Sequence, residues 1–565
     1  MKSNWYIYNK RKNFKEISDR FKISNLLSII LCNRDIVSDN EIKMMLSSDI
    51  HDIIDEKLLP DIDKAVDILH EYINDNKNIR IVGDYDIDGI CSTYILYDSL
   101  KSINANVSYA IPDRIIDGYG INNNIIDKAI NDKVDLIITC DNGISSEEQI
   151  SYALKNNIKV IVTDHHDIND LPKSALAVIN PKREDVKDKY PFKEICGAFV
   201  AMKFIMRYYD KFLNGREQII NKYLDFAMLA TVGDIMPLIN ENHIIVKIGL
   251  KSIKNTKNKG LKKLLSLTDL LNKELSTYHI GFIIGPLINA AGRMDSATLA
   301  LELFLSNDDN MIDEIAKKMQ LLNNSRKLIT EEGYNTTVSE IEKKYKNDKV
   351  LVVYIKNLPE QVAGIVAGRI KEKYYKPTII LTDTCDENEA KASCRSIDAY
   401  DIYSNLCSCK ELFLKFGGHK LAAGFSILKN NIDILRKTLN DTCKLKDEDY
   451  IPKVHIDVEY PFYNFDLNKV KELNTLEPYG QGFTKPIFAT KNVTANIKNI
   501  YGESKNIVHI NLLKDNNVCK SVAFLDSKPL IDRLDNNNIV DILYYPKINE
   551  FKGSVSIEYN IIDYR

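Results

Sequence analysis

The sequence predicts an α/β protein in three parts: a parallel-sheet domain, a second and smaller α/β domain, and a C-terminal β-barrel. Three observations carry that prediction. The apolar runs IRIVGD, KVDLIITC and IKVIVT are rich in Ile and Val with little alternation, the pattern of parallel strands buried on both faces. A strand–helix alternation begins afresh at VLVVYI (350–355). From 451 to 565 the chain changes to short alternating segments, the signature of a small barrel.

Taken in order, residues 1–60 read as short amphipathic helices forming an N-terminal arm. From 61 to 240 the pattern is βαβ. IDKAVDILHEYI is a helix, IRIVGD a strand, STYILYDSL a helix and NVSYAIP a strand, followed by the strands KVDLIITC, IKVIVT and ALAVIN. GAFVAMKFIMRYY is apolar on all sides and reads as a buried helix. Residues 241–340 read as a helical connecting region containing a loop, GPLINAAGR. The second α/β domain, 341–450, holds the helix QVAGIVAGRIKEKY, the strands PTIILT and KASCRS, and the loop FGGHKLAAGFS. VHIDVEY, PIFATKNVTANI, IVHINLL, KSVAFL, VDILYYPKI and SVSIEYNII are the expected barrel strands of 451–565.

Composition narrows the setting. The formal net charge is −3, so no global basic field favours nucleic acid, and any such binding must use a local groove. The ten cysteines form no C-x-x-C pair, which argues against a structural zinc site or a disulfide framework and for a reducing cytoplasm. No signal peptide surrounds Trp5, no apolar run approaches a membrane span, and the expected compartment is cytoplasmic, with no membrane partner.

The chemistry lies where four hydrophobic segments end. These ends carry Asp84, Asp86 and Asp88 in DYDIDG, Asp141 in CDNG, Asp164, His165 and His166 in TDHHD, and Asp234 in VGDIMPL. Ligands of open α/β sheets bind outside the carboxyl ends of the strands, so these groups are expected to converge at one rim. DYDIDG could open a calcium loop, but that loop needs Glu at its twelfth position, where Ile95 stands. Oxygen ligands with one or two imidazoles suit manganese or magnesium better than zinc or copper. Two such ions about 4 Å apart serve phosphoester or phosphoanhydride hydrolysis. No G-x-x-x-x-G-K-[ST] loop is present to hold a nucleoside triphosphate. The adjacent His165 and His166, read as a strand end, should point to opposite sides.

The ordered set DYDIDG, DNGI, DHH and GDIMPL resembles the DHH phosphoesterase superfamily. Downstream, GPLINAAGR, KASCRS, FGGHKLAAGF and EPYGQGFTKPIF are similar to its RecJ branch, the single-stranded-DNA-specific exonucleases, so that the resemblance covers roughly residues 60–565. It implies a parallel-sheet DHH catalytic domain, a DHH-associated domain across a cleft, and an OB-fold at the C-terminus. It further implies that Asp86, Asp88, Asp141, His165 and Asp234 hold two divalent cations, Mn or Mg, with Asp141 as the bridge and Asp84 joining or supporting the set. Asp164 would orient its neighbouring His, and His166 would face the scissile phosphate. Arg293 and Arg326 fall where the family contacts phosphate or organises the site, a task suited to the planar guanidinium fork. Gly417, Gly418 and His419 would form a phosphate-approaching loop, with Arg369, Ser393 and Arg395 on the same cleft wall. Two positions depart from the family: Ala392 stands before Ser393 where Gly is usual, and Phe483 stands where Asn is favoured.

The implied activity is 5′→3′ degradation of single-stranded DNA to mononucleotides by a monomer, in DNA repair and recombination, with a single-strand-binding protein and a RecQ-type helicase as implied partners. A phosphodiesterase acting on short oligonucleotides or cyclic dinucleotides would not need the barrel. An inactive DHH scaffold is at odds with an intact ligand set, and a pyrophosphatase with phosphate-binding features spread along the chain. Residues 451–565 hold as many acidic as basic side chains, so strand binding there would rest on a local basic strip and on stacking by residues such as Tyr501, Phe524, Tyr544 or Tyr545.

Overall fold

The structure, a computed structural model, describes residues 3–10, 12–114, 117–118, 120–502, 505–551 and 553–565. These fall into two compact units. One holds Met1–Asn4, Asn289–Ser296 and Glu314–Lys453; the other holds Trp5–Ile288, Ala297–Asp313 and Val454–Arg565. Among the described residues no helix is long and apolar enough to cross a membrane.

The larger unit opens with strand β1 (Asn4–Ile7) and helices α1 (Phe14–Phe21), α2 (Asn25–Asn33) and α3 (Asp39–Leu46). Each helix has an N-cap: Asn13, Ser24 and Ser38 accept from the backbone N–H of Glu16, Leu27 and Glu41, and Ser38 with Glu41 completes a capping box.

Helix α4 (Ile62–Asn74) leads into β2 (Ile79–Val82), α5 (Ile87–Ser102), β3 (Val107–Ala110), α6 (Asn123–Asn131), β4 (Leu136–Cys140), α7 (Glu147–Lys155), β5 (Lys159–Thr163) and β6 (Ala177–Ile179). The sheet is wholly parallel, in the order β3-β2-β4-β5-β6. The chain leaves β2 for one side and returns on the other, so the topological switch lies between β2 and β4. Strands β2, β4 and β6 are buried throughout, as unbroken Ile/Val runs require.

Helices α8 (Gly197–Leu213), α9 (Arg216–Gly233) and α10 (Asn240–Ser252) follow, and α8 is buried along most of its length. Lys203 on α8 and Glu241 on α10 are fully buried and paired at 2.9 Å. The ammonium also donates to Ile54 O at 2.6 Å, and the carboxylate accepts from Tyr190 Oη at 2.6 Å and Ile54 N at 3.2 Å. Helix α11 (Lys259–Leu267) and the short α12 (Thr277–His279) precede a π-turn over Ile280–Ile284. The segment GPLINAAGR, expected as a loop, is instead the helix α13 (Gly285–Met294). Pro286 falls in its first turn, just after the wide turn, where a missing N–H disturbs little. Helices α14 (Thr298–Leu305) and α15 (Asp309–Glu340) complete the connecting region, of which α13 from Asn289 and α15 from Glu314 count with the smaller unit.

The smaller unit contains β7 (Leu351–Tyr354), α16 (Glu360–Tyr374), β8 (Thr378–Asp383), β9 (Glu389–Arg395), α17 (Ile402–Cys407), β10 (Phe413–His419), β11 (Ala422–Leu428) and α18 (Ile432–Thr442). Its sheet order is β10-β11-β9-β8-β7. The segment FGGHKLAAGFS, expected as a loop, is a β-hairpin whose turn is Lys420 and Leu421. Gly418 is a strand residue at φ 150°, and a Cβ there would collide with Ala423 on the opposite strand. Gly418 thus serves close strand pairing rather than a turn, whereas a Cβ on Gly417 would meet open space.

Back in the larger unit, β12 (Lys453–Ile456), β13 (Val458–Glu459) and α19 (Leu467–Asn474) lead to β14 (Phe488–Tyr501), β15 (Ile507–Lys514), β16 (Asn517–Phe524), α20 (Ser527–Asn536), β17 (Ile539–Phe551) and β18 (Ser554–Tyr564). Pairing runs β14-β15-β16-β18-β17 and closes from β17 back to β14, a five-stranded barrel. The arm joins it: Ile17, Leu27, Ile30 and Leu31 share one apolar core with Phe488, Val508 and Tyr544. Arg34 pairs with the buried Asp457 through both carboxylate oxygens, at 2.7 and 2.9 Å, and its guanidinium lies 4.7 Å over Phe483. Phe483 is thus a core residue beneath a cation, which accounts for an aromatic ring at that position.

The buried pair at Lys203 yields a stability test. Lys203→Met leaves the Glu241 carboxylate buried without its counter-charge and lowers the unfolding free energy by about 3–5 kcal/mol. Lys203→Met with Glu241→Gln recovers most of that loss. Urea unfolding of the three proteins checks it, and equal losses in the single and double variants would show that pairing is not the cause.

Candidate metal centre

Three neighbouring strands end in acids. Asp84 lies two residues past β2, and Asp141 and Asp164 directly follow β4 and β5. The switch between β2 and β4 therefore sets Asp84 beside Asp141. Asp141 sits in left-handed backbone at φ 61°, which Asp tolerates. Asn142 ties the two strand ends together, its Nδ2 donating to Val82 O at 3.0 Å and Cys140 O at 2.9 Å. Asp86 caps α5, accepting from the N–H groups of Asp88 and Gly89. Asp88, in the first turn of α5, accepts from Gly197 N and Ala198 N, both at 2.7 Å, at the start of α8. That contact requires glycine: a Cβ on Gly197 would lie 2.8 Å from Asp141 Cβ. Asp234 arrives from elsewhere, at the C-cap of α9.

Ligand atoms lying within 4.8 Å of one another form three groups: Asp84, Asp86 and Asp141; Asp88, His165 and Asp234; and Asp141, His165 and His166. Asp141 belongs to two of them and joins the halves of the cluster. His165 Nε2 lies 3.1 Å from Asp141 Oδ1, 3.5 Å from Asp88 Oδ2 and 3.8 Å from Asp234 Oδ2. Asp164 does not face this cluster. Its oxygens accept from Ile144 N, His165 N, His166 N and His166 Nδ1, the last at 2.7 Å. The two imidazoles do not point to opposite sides: their centroids are 4.5 Å apart, and both approach Asp141 within 4 Å. They lie beyond the end of β5, where the strand pleat no longer fixes direction.

The electrostatics demand a counter-charge. Burial, then repulsion from neighbouring carboxylates, pushes Asp84, Asp141 and Asp234 well above the usual carboxylate range and Asp88 up to about 7. Burial also lowers His165 to about 3, leaving it neutral as a metal ligand must be. For His166 burial acts downward, but the hydrogen bond and charge of Asp164 prevail and raise it to about 9. Asp84 Oδ1 is buried without a hydrogen-bond partner among the described residues. Hard oxygen donors, one neutral imidazole, an orphaned buried oxygen and unrelieved repulsion all fit divalent cations.

The remaining expected residues lie in the smaller unit. The sheet there sets Ser393, Gly424 and Gly417 in one row and Arg395, Ala422 and His419 in the next. Arg293 Nη1 donates to Gln361 O at 2.9 Å. Arg326, half-buried on α15, donates to Asn323 Oδ1. Arg369 pairs with Glu331 at 2.7 Å and covers the Tyr334 ring at 4.1 Å. In the barrel Tyr501 and Phe524 are exposed, Tyr544 is core, and Tyr545 is half-buried under Lys485.

Sequence reasoning passed over three contributors. Asn142 stands before Gly143, a pair whose local pattern is that of a turn, although it joins two strand ends. The N–H pair of Gly197 and Ala198 has no side-chain signal. Arg114, in the loop after β3, stacks 4.9 Å over Tyr85 of the first motif; a lone Arg in a polar loop gives no pattern to detect.

Family models match three stretches of the chain: the DHH family N-terminal domain over 78–231, the DHHA1 domain over 347–445 and the RecJ OB domain over 456–563. The single-stranded-DNA-specific exonuclease RecJ of Dickeya dadantii is 31% identical over 91% of this chain and 92% of its own. Its counterpart in Bacillus subtilis is 28% identical over 90% of this chain, which spans 64% of that protein's length. The crystal structure of RecJ in complex with Mn2+ from Thermus thermophilus superposes over the whole chain and 79% of its own, with a TM-score of 0.82 and 24% identity.

Two measurements test the electrostatics. Asp84, Asp88, Asp141 and Asp234 are held above their unfolded pKa values, so the folded metal-free protein binds the extra protons. Its stability should fall as pH rises from about 4 to 7 and stay low above that. Saturating Mn2+ should raise the melting temperature at pH 8 and flatten this profile; a chelator should restore it. Separately, Asp164→Asn should drop His166 from about 9 toward its ordinary value near 6.5 in NMR titration of the metal-free protein. A titration unmoved by Asp164→Asn would remove Asp164 as the cause.

Proposed function

The chain belongs to the RecJ family of single-stranded-DNA-specific exonucleases, and from that membership and the site geometry we propose that it hydrolyses single-stranded DNA, from the 5′ end, to mononucleotides. The observation that carries this reading is the cluster of buried carboxylates around His165, in which Asp141 is shared between two ligand sets.

Asp84, Asp86 and Asp141 would hold one divalent cation, and Asp88, His165 and Asp234, with Asp141, the other; manganese and magnesium suit this donor set. When bound, two such ions supply a nucleophilic water at neutral pH and neutralise charge on the transferred phosphoryl group. The protein's own groups do the rest. Asp88, fixed by two helix N–H groups, and His165, kept neutral by burial, present pre-set ligand atoms that need no reorganisation. His166 is the catalytic group facing the substrate. Its side chain is 43% exposed, and Asp164 holds it as a cation, the form that can donate to a phosphate oxygen. Asp164 is a positioning residue acting through His166.

In this reading the smaller unit contributes phosphate contacts from Arg293, Arg326, Arg369, Ser393, Arg395, Gly417, Gly418 and His419. The sheet rows that align Ser393 with Gly417 and Arg395 with His419 support a common binding face. Phosphate contacts and stacking carry little base information, so sequence preference is weak. We place the enzyme in the cytoplasm, as a monomer in DNA repair and recombination, with a single-strand-binding protein and a RecQ-type helicase as partners. The catalytic domain occupies 61–240 and the DHH-associated domain 341–450, joined by the helical region 241–340. The barrel, 451–565, carries the N-terminal arm 1–60.

The test is a nuclease assay with Mn2+ on strands labelled at the 5′ or the 3′ end, beside a duplex control. Immediate release of 5′-labelled mononucleotide from single strands alone is expected. Asp141→Ala should lower the rate by about 10³-fold with the circular dichroism spectrum unchanged. Release of the 3′ label first would overturn the polarity, and wild-type turnover in Asp141→Ala would remove Asp141 from the mechanism.

A further inference from the structure

Helix α9 ends in a turn that no stability argument explains. Asp234 is its C-cap, and the next residue, Ile235, adopts left-handed backbone at φ 57°. Ile235 N donates to Val232 O at 3.3 Å and Met236 N to Thr231 O at 3.0 Å, closing the helix in the manner usually served by glycine. A Cβ-branched side chain is the worst fit for this conformation. Nor does burial compensate, because Ile235 is 69% exposed.

The turn is held from outside. Leu238 N donates to Gln481 O at 2.7 Å. The linker YGQGF lies so close that a Cβ on Gly480 would stand 2.7 Å from Leu238 Cδ1, and one on Gly482 2.8 Å from Pro237 Cβ. Met236 and Leu238 are buried. Strain of this kind persists only where the surroundings over-determine the backbone, and it gathers at functional sites.

Its place is specific. Asp84, Asp88 and Asp141 are almost wholly enclosed, whereas the side chains of Asp234 and His166 are 33% and 43% exposed. The cluster therefore opens on the side of Asp234, and Ile235 stands at that lip. The π-turn packed against the same helix end, where a Cβ on Gly281 would lie 3.8 Å from Val232 Cγ1, and α12 just before it carry two more exposed apolar groups. These are Phe282 and Tyr278, 70% and 60% exposed, with ring centroids 5.0 Å apart. Apolar surface beside a phosphate-directed site suits the flat face of a base, which every nucleotide presents.

We propose that Ile235 is a substrate contact: its side chain packs against the nucleobase at the end of the strand whose phosphodiester lies at the carboxylate cluster. This rests on the single-strand reading above. The strained residue is kept because the strand uses its side chain, at the expense of fold stability.

The test compares wild type with Ile235→Gly and Ile235→Leu, on single strands with ordinary ends and on strands whose terminal nucleotides are abasic. Ile235→Gly relieves the backbone and should melt about 2 °C higher. On ordinary strands its KM should rise about 10-fold with kcat little changed, and Ile235→Leu should restore KM. On abasic ends the three proteins should share one KM, which a mere displacement of Asp234 would not produce. If wild type degrades single strands and Ile235→Gly keeps its KM, or the KM difference persists on abasic ends, this inference is wrong and the function reading stands. A wild type inert on single strands overturns the function reading and this inference with it.

Discussion

The larger unit is arranged around a repulsion. Asp84, Asp88 and Asp141 are enclosed together, with Asp86 and Asp234 at their margin, and the imidazole set among them, His165, is neutral. Such a cluster opposes its own folding unless it gains protons or cations. Nothing in the apolar sheet beneath demands these acids; each strand would end as well in a turn residue. The architecture supplies stability elsewhere, through strands and a helix buried along their length, and concentrates the opposing free energy at one rim.

Holding that cluster open to substrate on one side falls largely to hydrogen bonds. Backbone N–H donors from α8 fix Asp88, Asn142 joins β2 to β4, and Asp164 takes four hydrogen bonds that set both imidazoles. Two adjacent histidines thereby acquire opposite properties. Burial keeps His165 neutral, whereas contact with Asp164 keeps the more exposed His166 charged. One therefore suits a cation and the other a phosphate oxygen.

The barrel and the arm are coupled to this rim through the linker. Arg34 and Asp457 bind arm to barrel, Leu476 O accepts from His243 of α10, and Gly480 and Gly482 bring the linker against the residues that follow Asp234. The barrel is thus attached to the turn that follows Asp234, which links barrel packing to the geometry of the acidic cluster.

Periodicity and motif order determined much of this protein. The unbroken Ile/Val runs announced the parallel sheet, alternation announced the barrel, and four acid-bearing segment ends announced the metal cluster, because strand carboxyl ends of an open sheet share a rim. The tertiary structure decided what local pattern cannot carry. GPLINAAGR became a helix because a π-turn prepares its proline, and FGGHKLAAGFS became a hairpin because small residues let two strands pair closely. His165 and His166 came to one side because they lie past the pleat. The grouping of five aspartates and two imidazoles into three close clusters, two of which include Asp141, and the strained exposed Ile235 beside them, depend on distances between segments far apart in the chain. Such distances are fixed by packing and leave no local mark in the sequence.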